Sequence, residues 1–263
     1  PNKDTSSVYS ETLKALPVGK SVMRLIDFDK DVETIDLQQL ARLYVSENPV
    51  NDIFSLKIVY GIGNLEENRL SHLAHYLGLI GTSTLSFEDY RKSLYNLGAE
   101  ISFEADNSDF VILIKGFDKY FDETVRLVGD FMHHYKVDDK KLKTLKDLDK
   151  MNKTMTKSAF DMASVLFEKV RCGNESRYLK KIGKIKTPDV SELFEKVQST
   201  ECNIHYCGKN RLQKVETLLK ECLPVGKIKR ASKSPVERML VEYDTPTVYF
   251  LDMPGSSQSI IYS

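Results

Sequence analysis

The 263 residues carry 38 Lys+Arg against 38 Asp+Glu, a formal net charge of zero at pH 7, which gives no general electrostatic pull toward nucleic acid or an anionic membrane. At 41% hydrophobic and 29% charged, the chain can bury a substantial core, which excludes a disordered chain. No apolar run approaches the roughly 20 residues of a membrane span, and none has the layout of a signal peptide.

In chain order, the first 47 residues are polar and mixed. Short alternations at Leu25-Ile26-Asp27-Phe28 and Thr34-Ile35-Asp36-Leu37 suggest brief strands, and Leu40–Val45 a strand or a short helix. Asn48-Pro49 breaks the pattern. Ile53–Tyr60 is rich in β-branched and aromatic residues and reads as a strand. It ends in Gly61-Ile62-Gly63, which invites a dinucleotide-binding reading. That fingerprint fails at Glu66, where its third glycine should stand, and the strands that follow read as a hairpin. Leu70, Leu73, Leu77 and Ile80 then recur at helical spacing, so an apolar face can hold this helix against a sheet without a metal.

Ser86-Phe87-Glu88-Asp89 approximates a capping box for a helix through Tyr90, Leu94 and Leu97, capped by Gly98. Ile101, Phe103 and Ala105 alternate with polar residues, and Asn107-Ser108 turns that strand into Phe110–Ile114, closed by Gly116. Phe121, Val125, Val128, Met132 and Tyr135 form one helical stripe. Leu142, Leu145, Leu148, Met151 and Met155 form a second, with the lysines of Lys140–Lys157 on its solvated face. A helix over Ala159–Val170 follows. Thr187-Pro188 reads as an N-cap and first-turn proline opening a helix through Val190, Leu193, Phe194 and Val197. Glu201–Gly208 reads as a strand with Cys202, Ile204 and Tyr206 on one side and Asn203, His205 and Cys207 on the other. Arg211–Leu223 reads as a helix, Gly226–Pro235 as a basic linker, and Arg238–Tyr243 and Thr247–Leu251 as strands. The cysteines at 172, 202, 207 and 222 show no C-x-x-C pairing and read as buried or half-buried thiols. His133-His134 fall at a helix end, where imidazolium complements the dipole.

The stretch Gly61–Thr82 carries the most chemistry. It resembles the active-site helix of the pitrilysin/insulinase (M16) family of zinc peptidases. There a strand leads through a glycine and an acidic turn into His-x-x-Glu-His, followed by an apolar residue and Gly-Thr. Setting Gly81-Thr82 on that Gly-Thr places His72, Leu73, Ala74, His75 and Tyr76 on the five motif positions. The first histidine survives, the glutamate has become His75, and the second histidine has become Tyr76. Two histidines four apart on a helix can share a zinc ion, while the glutamate serves as base for the bound water. A phenol with a pKa of about 10 is a poor zinc ligand at neutral pH, and His75 offers no carboxylate. The family's third ligand, a glutamate on a later helix, falls near Asp147–Lys157, a stretch without glutamate. His72 and His75 share a face roughly, but a two-His metal site would need a third ligand.

The resemblance runs in order over residues 48–224, including the Leu97-Gly98-Ala99 step before the hairpin and the strand–glycine–helix passage around Gly208. It implies an α+β, M16 metallopeptidase-like domain: a mostly antiparallel sheet with helices packed on one face. It makes residues 1–47 a connector from a preceding domain. Residues 225–263 become a linker and the truncated start of a next domain, with Gln258–Ile261 resembling its first strand. The chain, opening at Pro1 and stopping at Ser263, reads as excised from something longer.

For function, the resemblance implies two bowl-shaped halves around a peptide chamber, with zinc in the catalytic half. This half would lack a cofactor and catalytic residues of its own. His72, His75 and Tyr76 would then line a concave surface for peptide contact. The implied partners are the catalytic M16 half, of the same or a partner chain, and a peptide substrate, with no nucleic acid and no membrane insertion. The alternative is a degenerate homologue serving as a structural or assembly subunit. A third reading, an active enzyme using His72 and His75, requires a ligand the sequence does not identify.

Overall fold

Side chains along five of the six strands alternate between buried and more open positions, and this makes the sheet one-sided. The computed structural model describes residues 7–17, 25–155, 159–172, 185–233, 240–252 and 261, with backbone alone for 148–155 and 159–161. Its six strands are β1 (Val32–Gln38), β2 (Ala41–Glu47), β3 (Ile53–Tyr60), β4 (Glu100–Ala105), β5 (Phe110–Phe117) and β6 (Cys202–Gly208), in the spatial order β1-β2-β6-β3-β5-β4. Every pairing is antiparallel except that of β2 with β6. Phe54, Leu56, Ile58 and Tyr60 share the buried face with Phe110, Ile112, Ile114, Cys202, Ile204 and Tyr206. Arg42, Lys57, Asn203 and His205 lie exposed on the opposite face.

Helices supply the rest of the core. They are α1 (Val8–Ala15), α2 (Phe28–Asp31), α3 (Leu70–Leu77), α4 (Phe87–Asn96), α5 (Phe121–His134), α6 (Asp139–Met155), α7 (Ala159–Cys172), α8 (Thr187–Gln198) and α9 (Leu212–Cys222). The apolar stripes of α3, α4, α5, α8 and α9, with Leu142 and Leu145 of α6, join the buried face of the sheet in one cluster. Phe54 of β3 meets Phe121 of α5 edge-on at 4.9 Å, and Phe121 meets Tyr206 of β6 at the same distance. Gly98 closes α4 with φ +60°, a conformation open to glycine at little cost. Among the described residues no helix is long and apolar enough to cross a membrane.

Several segments depart from the sequence reading. Leu25–Phe28 is not a strand: Asp27 caps the short helix α2, its carboxylate accepting the Asp29 N–H at 3.2 Å, and that local bond outcompetes extension. Thr34–Leu37 lies in β1 as read, and Leu40–Val45, left between strand and helix, falls largely in β2, which satisfies its backbone by parallel pairing with the distant β6. Val225 and Ile228, read as linker, are buried in the same core. Gly116 does not end β5 but lies within it, where a Cβ would crowd the Phe54 ring at 3.0 Å. Thr187 is the first helical residue and Lys186 the cap, whose N–H donates to Asp189 Oδ2 at 2.8 Å. Residues 240–252 form no strand, since an extended segment needs a pairing partner to become one. The side chains of Leu148, Met151 and Met155, and the stretch 258–260, lie outside the described residues.

Leu73 is fully buried at the centre of the α3 stripe. Leu73→Ala is expected to destabilise the protein by about 2–5 kcal/mol in chemical denaturation, through lost burial and the cavity left behind.

Candidate functional site

The site begins where β3 ends. Gly63 packs so closely on the β4–β5 turn that a Cβ there would lie 2.4 Å from the Asn107 and Ser108 backbone. That approach lets the Asn64 and Leu65 N–H groups donate to the carbonyls of Asp106 and Asn107 at 2.7 and 3.0 Å. Asn64 then orients α3: its side-chain oxygen accepts the Ser71 N–H at 3.1 Å and its amide donates to Ser71 Oγ at 2.8 Å.

The acidic turn is held by cations from three places. Arg69 makes a two-pronged contact to Glu67 at 2.8 and 3.0 Å. Lys196 of α8 lies 3.8 Å from Glu66 and 3.7 Å from Glu67. Arg230, beyond α9, pairs with Glu66 and donates to Thr200 Oγ1 at 3.2 Å. Ser232 continues this strap, donating its hydroxyl to the Gly61 carbonyl at 2.9 Å. The Arg69 hydrogen bond outweighs burial and holds the Glu67 carboxyl below its usual pKa.

On α3, Leu70, Leu73, Ala74 and Leu77 face the core. His75 is exposed and His72 half-buried. Tyr76 is fully buried, which corrects the expectation that it offers peptide contact. Its phenol accepts the Asp138 N–H at 2.7 Å and donates to the Asp138 carbonyl at 3.0 Å. A tyrosine on this helix face gains by burying its ring, provided its hydroxyl finds a polar partner, and the main chain just before α6 supplies one. Burial pushes the phenol pKa further up. Among the described residues no three His, Cys, Asp or Glu side chains converge on a common metal position.

No protein-family model matches the sequence, and no curated protein matches it. Solved structures do. The peptidase M16 inactive domain from Pseudomonas fluorescens aligns with a TM-score of 0.65 at 14% identity, covering 80% of this chain and 53% of that one. The ferredoxin protease FusC, solved in complex with Arabidopsis ferredoxin, gives 0.67 at 11% identity over 86% of this chain and 27% of that one. The periplasmic protease PqqL from Escherichia coli gives 0.63 at 13% identity over 92% of this chain and 28% of that one. The fold is that of an M16 peptidase domain. The chain spans about half the length of the first of these structures and under a third of the other two.

Within this M16 fold, two features escaped the sequence reading. On the open face of the sheet, Tyr44 and His205 stack at 4.8 Å with rings 8° from parallel, and burial together with Lys57 lowers the His205 pKa. Where β3 begins and β5 ends, a pocket of about 620 Å³ is lined by Asn51, Asp52, Ile53, Phe117, Asp118 and Lys119. Asp118 Oδ1 there accepts from the Tyr206 hydroxyl and the Lys209 N–H, both at 2.9 Å. Both features depend on pairing between distant strands and leave no signal in local spacing.

Because the folded Glu67 carboxyl titrates below its unfolded value, its stabilisation is present above about pH 4.3 and is lost as pH falls through the folded pKa. Glu67→Gln should therefore cost about 1 kcal/mol at pH 7. In urea titrations at successive pH values, the gap to the parent protein should close in the acid range.

Proposed function

We propose that this chain is the non-catalytic half of an M16-type zinc peptidase: it walls a peptide-binding chamber whose zinc and general base belong to a catalytic M16 half. The observation that carries the reading is α3. It keeps the placement of the family's active-site helix, after the strand, the glycine and the acidic turn, while its three chemical positions hold His72, His75 and Tyr76. A helix with that frame and those residues has no carboxylate to activate water. The Pseudomonas fluorescens structure, itself an inactive M16 domain, supports the reading. The FusC complex with ferredoxin supports a protein or peptide occupant of the chamber. On this reading, the residues after the Arg230 strap begin a further domain of the same kind. His75, exposed, and His72, half-buried, are the motif positions left to meet peptide.

The test is reconstitution. The chain alone should hydrolyse no fluorogenic peptide, with or without zinc. Mixed with an M16 half that carries an intact His-x-x-Glu-His, it should raise that half's kcat/KM. The double variant His72→Ala with His75→Ala should keep its stability within about 0.5 kcal/mol and raise KM several-fold in the mixture. Zinc-dependent hydrolysis by the chain alone would overturn the proposal. Stable assembly with a partner, but no peptide binding, would assign it a structural role instead.

A further inference from the structure

Tyr76 stands where the resemblance places a zinc ligand, and its surroundings give it a different task. A tyrosine hydroxyl has one proton to donate and can accept. Here the proton goes to the Asp138 carbonyl at 3.0 Å, and the oxygen accepts the Asp138 N–H at 2.7 Å. Asp138 in turn starts α6: its carbonyl accepts the Leu142 N–H at 3.1 Å and its carboxylate the Lys140 N–H at 2.8 Å. The phenol is thus bonded to the first turn of α6, and α6 spans most of the stretch where the resemblance puts the third metal ligand.

We infer that Tyr76 is a metal-free clamp, tying α3 to α6 by main-chain hydrogen bonds where catalytic M16 members join the two helices through zinc, and that it closes the position to metal. A zinc ligand here would have to be an imidazole, a thiolate or a carboxylate. The phenol is fully buried, stays protonated, and has its proton committed to a carbonyl. The family's zinc therefore does not fit these residues. Loss of the hydroxyl would leave the Asp138 N–H without its partner and the Asp138 carbonyl with the Leu142 N–H alone, at the point where α6 begins. The clamp rests on the α3–α6 contact, and its metal-excluding part rests also on the M16 resemblance; hydroxyl and amide exchange test the first and zinc titration the second, and neither depends on peptide binding.

Three measurements on the whole chain test it. The unmodified protein should show a slowly exchanging Tyr76 hydroxyl proton by NMR and no stoichiometric zinc by titration calorimetry. Tyr76→Phe keeps the ring and removes only the bonds. It should lower Tm by several degrees and speed amide exchange at residues 138–142 about tenfold, leaving β3 and β6 unchanged. A rapidly exchanging hydroxyl proton, a Phe variant with unaltered Tm and exchange, or one tightly bound zinc per chain in the parent would each overturn the clamp.

Discussion

Pairing between β3 and β6 joins segments far apart in the chain, and the remaining structure depends on it. Leu56 lies opposite Tyr206, Ile58 opposite Ile204 and Tyr60 opposite Cys202, so the apolar sides of both strands fall on one face. A slip of one residue would turn every one of these side chains to the other face. With the register held, β2 can add in parallel beyond β6 and β5 in antiparallel beyond β3. Their common face then offers the helices a continuous apolar floor.

The helix α3 is held on that floor in two separate ways. Leu70, Leu73 and Leu77 on its apolar face are buried, as is Ile80 just beyond its end. Burial of such side chains contributes roughly 1.5–3 kcal/mol each. Its ends are also fastened by polar contacts unrelated to zinc. Arg69 reaches Glu67 and lies 4.0 Å from Asp189, while Tyr76 reaches Asp138. The acidic turn ahead of the helix is likewise neutralised by Arg69, Lys196 and Arg230. The support of α3 therefore comes from apolar burial and from these polar contacts.

Much of the architecture was readable from residue spacing. The β-branched and aromatic run Ile53–Tyr60, the alternation in Cys202–Gly208, the stripe of α5, and Gly98 as a helix terminator are local patterns, and local backbone geometry enforces them. The placement of His72, His75 and Tyr76 on one short helix was readable in the same way. Local pattern also misled where a short polar residue competed with it. Asp27 bonds its own neighbour two residues on and bends an apparent strand into a helical turn.

What local spacing does not carry is the meeting of two remote segments. Nothing around Ala41–Glu47 names β6 as its parallel neighbour, so the sheet's extent to β1 and β2 could not be inferred from spacing. Nothing near Glu66 announces Arg230. Residue identity alone settled that positions 75 and 76 carry a histidine and a phenol, at places where the resemblance to M16 peptidases implies a carboxylate and an imidazole. Only the folded chain decided that one of these points outward and the other is sealed inside, because the Asp138 main chain that receives the Tyr76 hydroxyl is brought to it by the packing of α6 on α3.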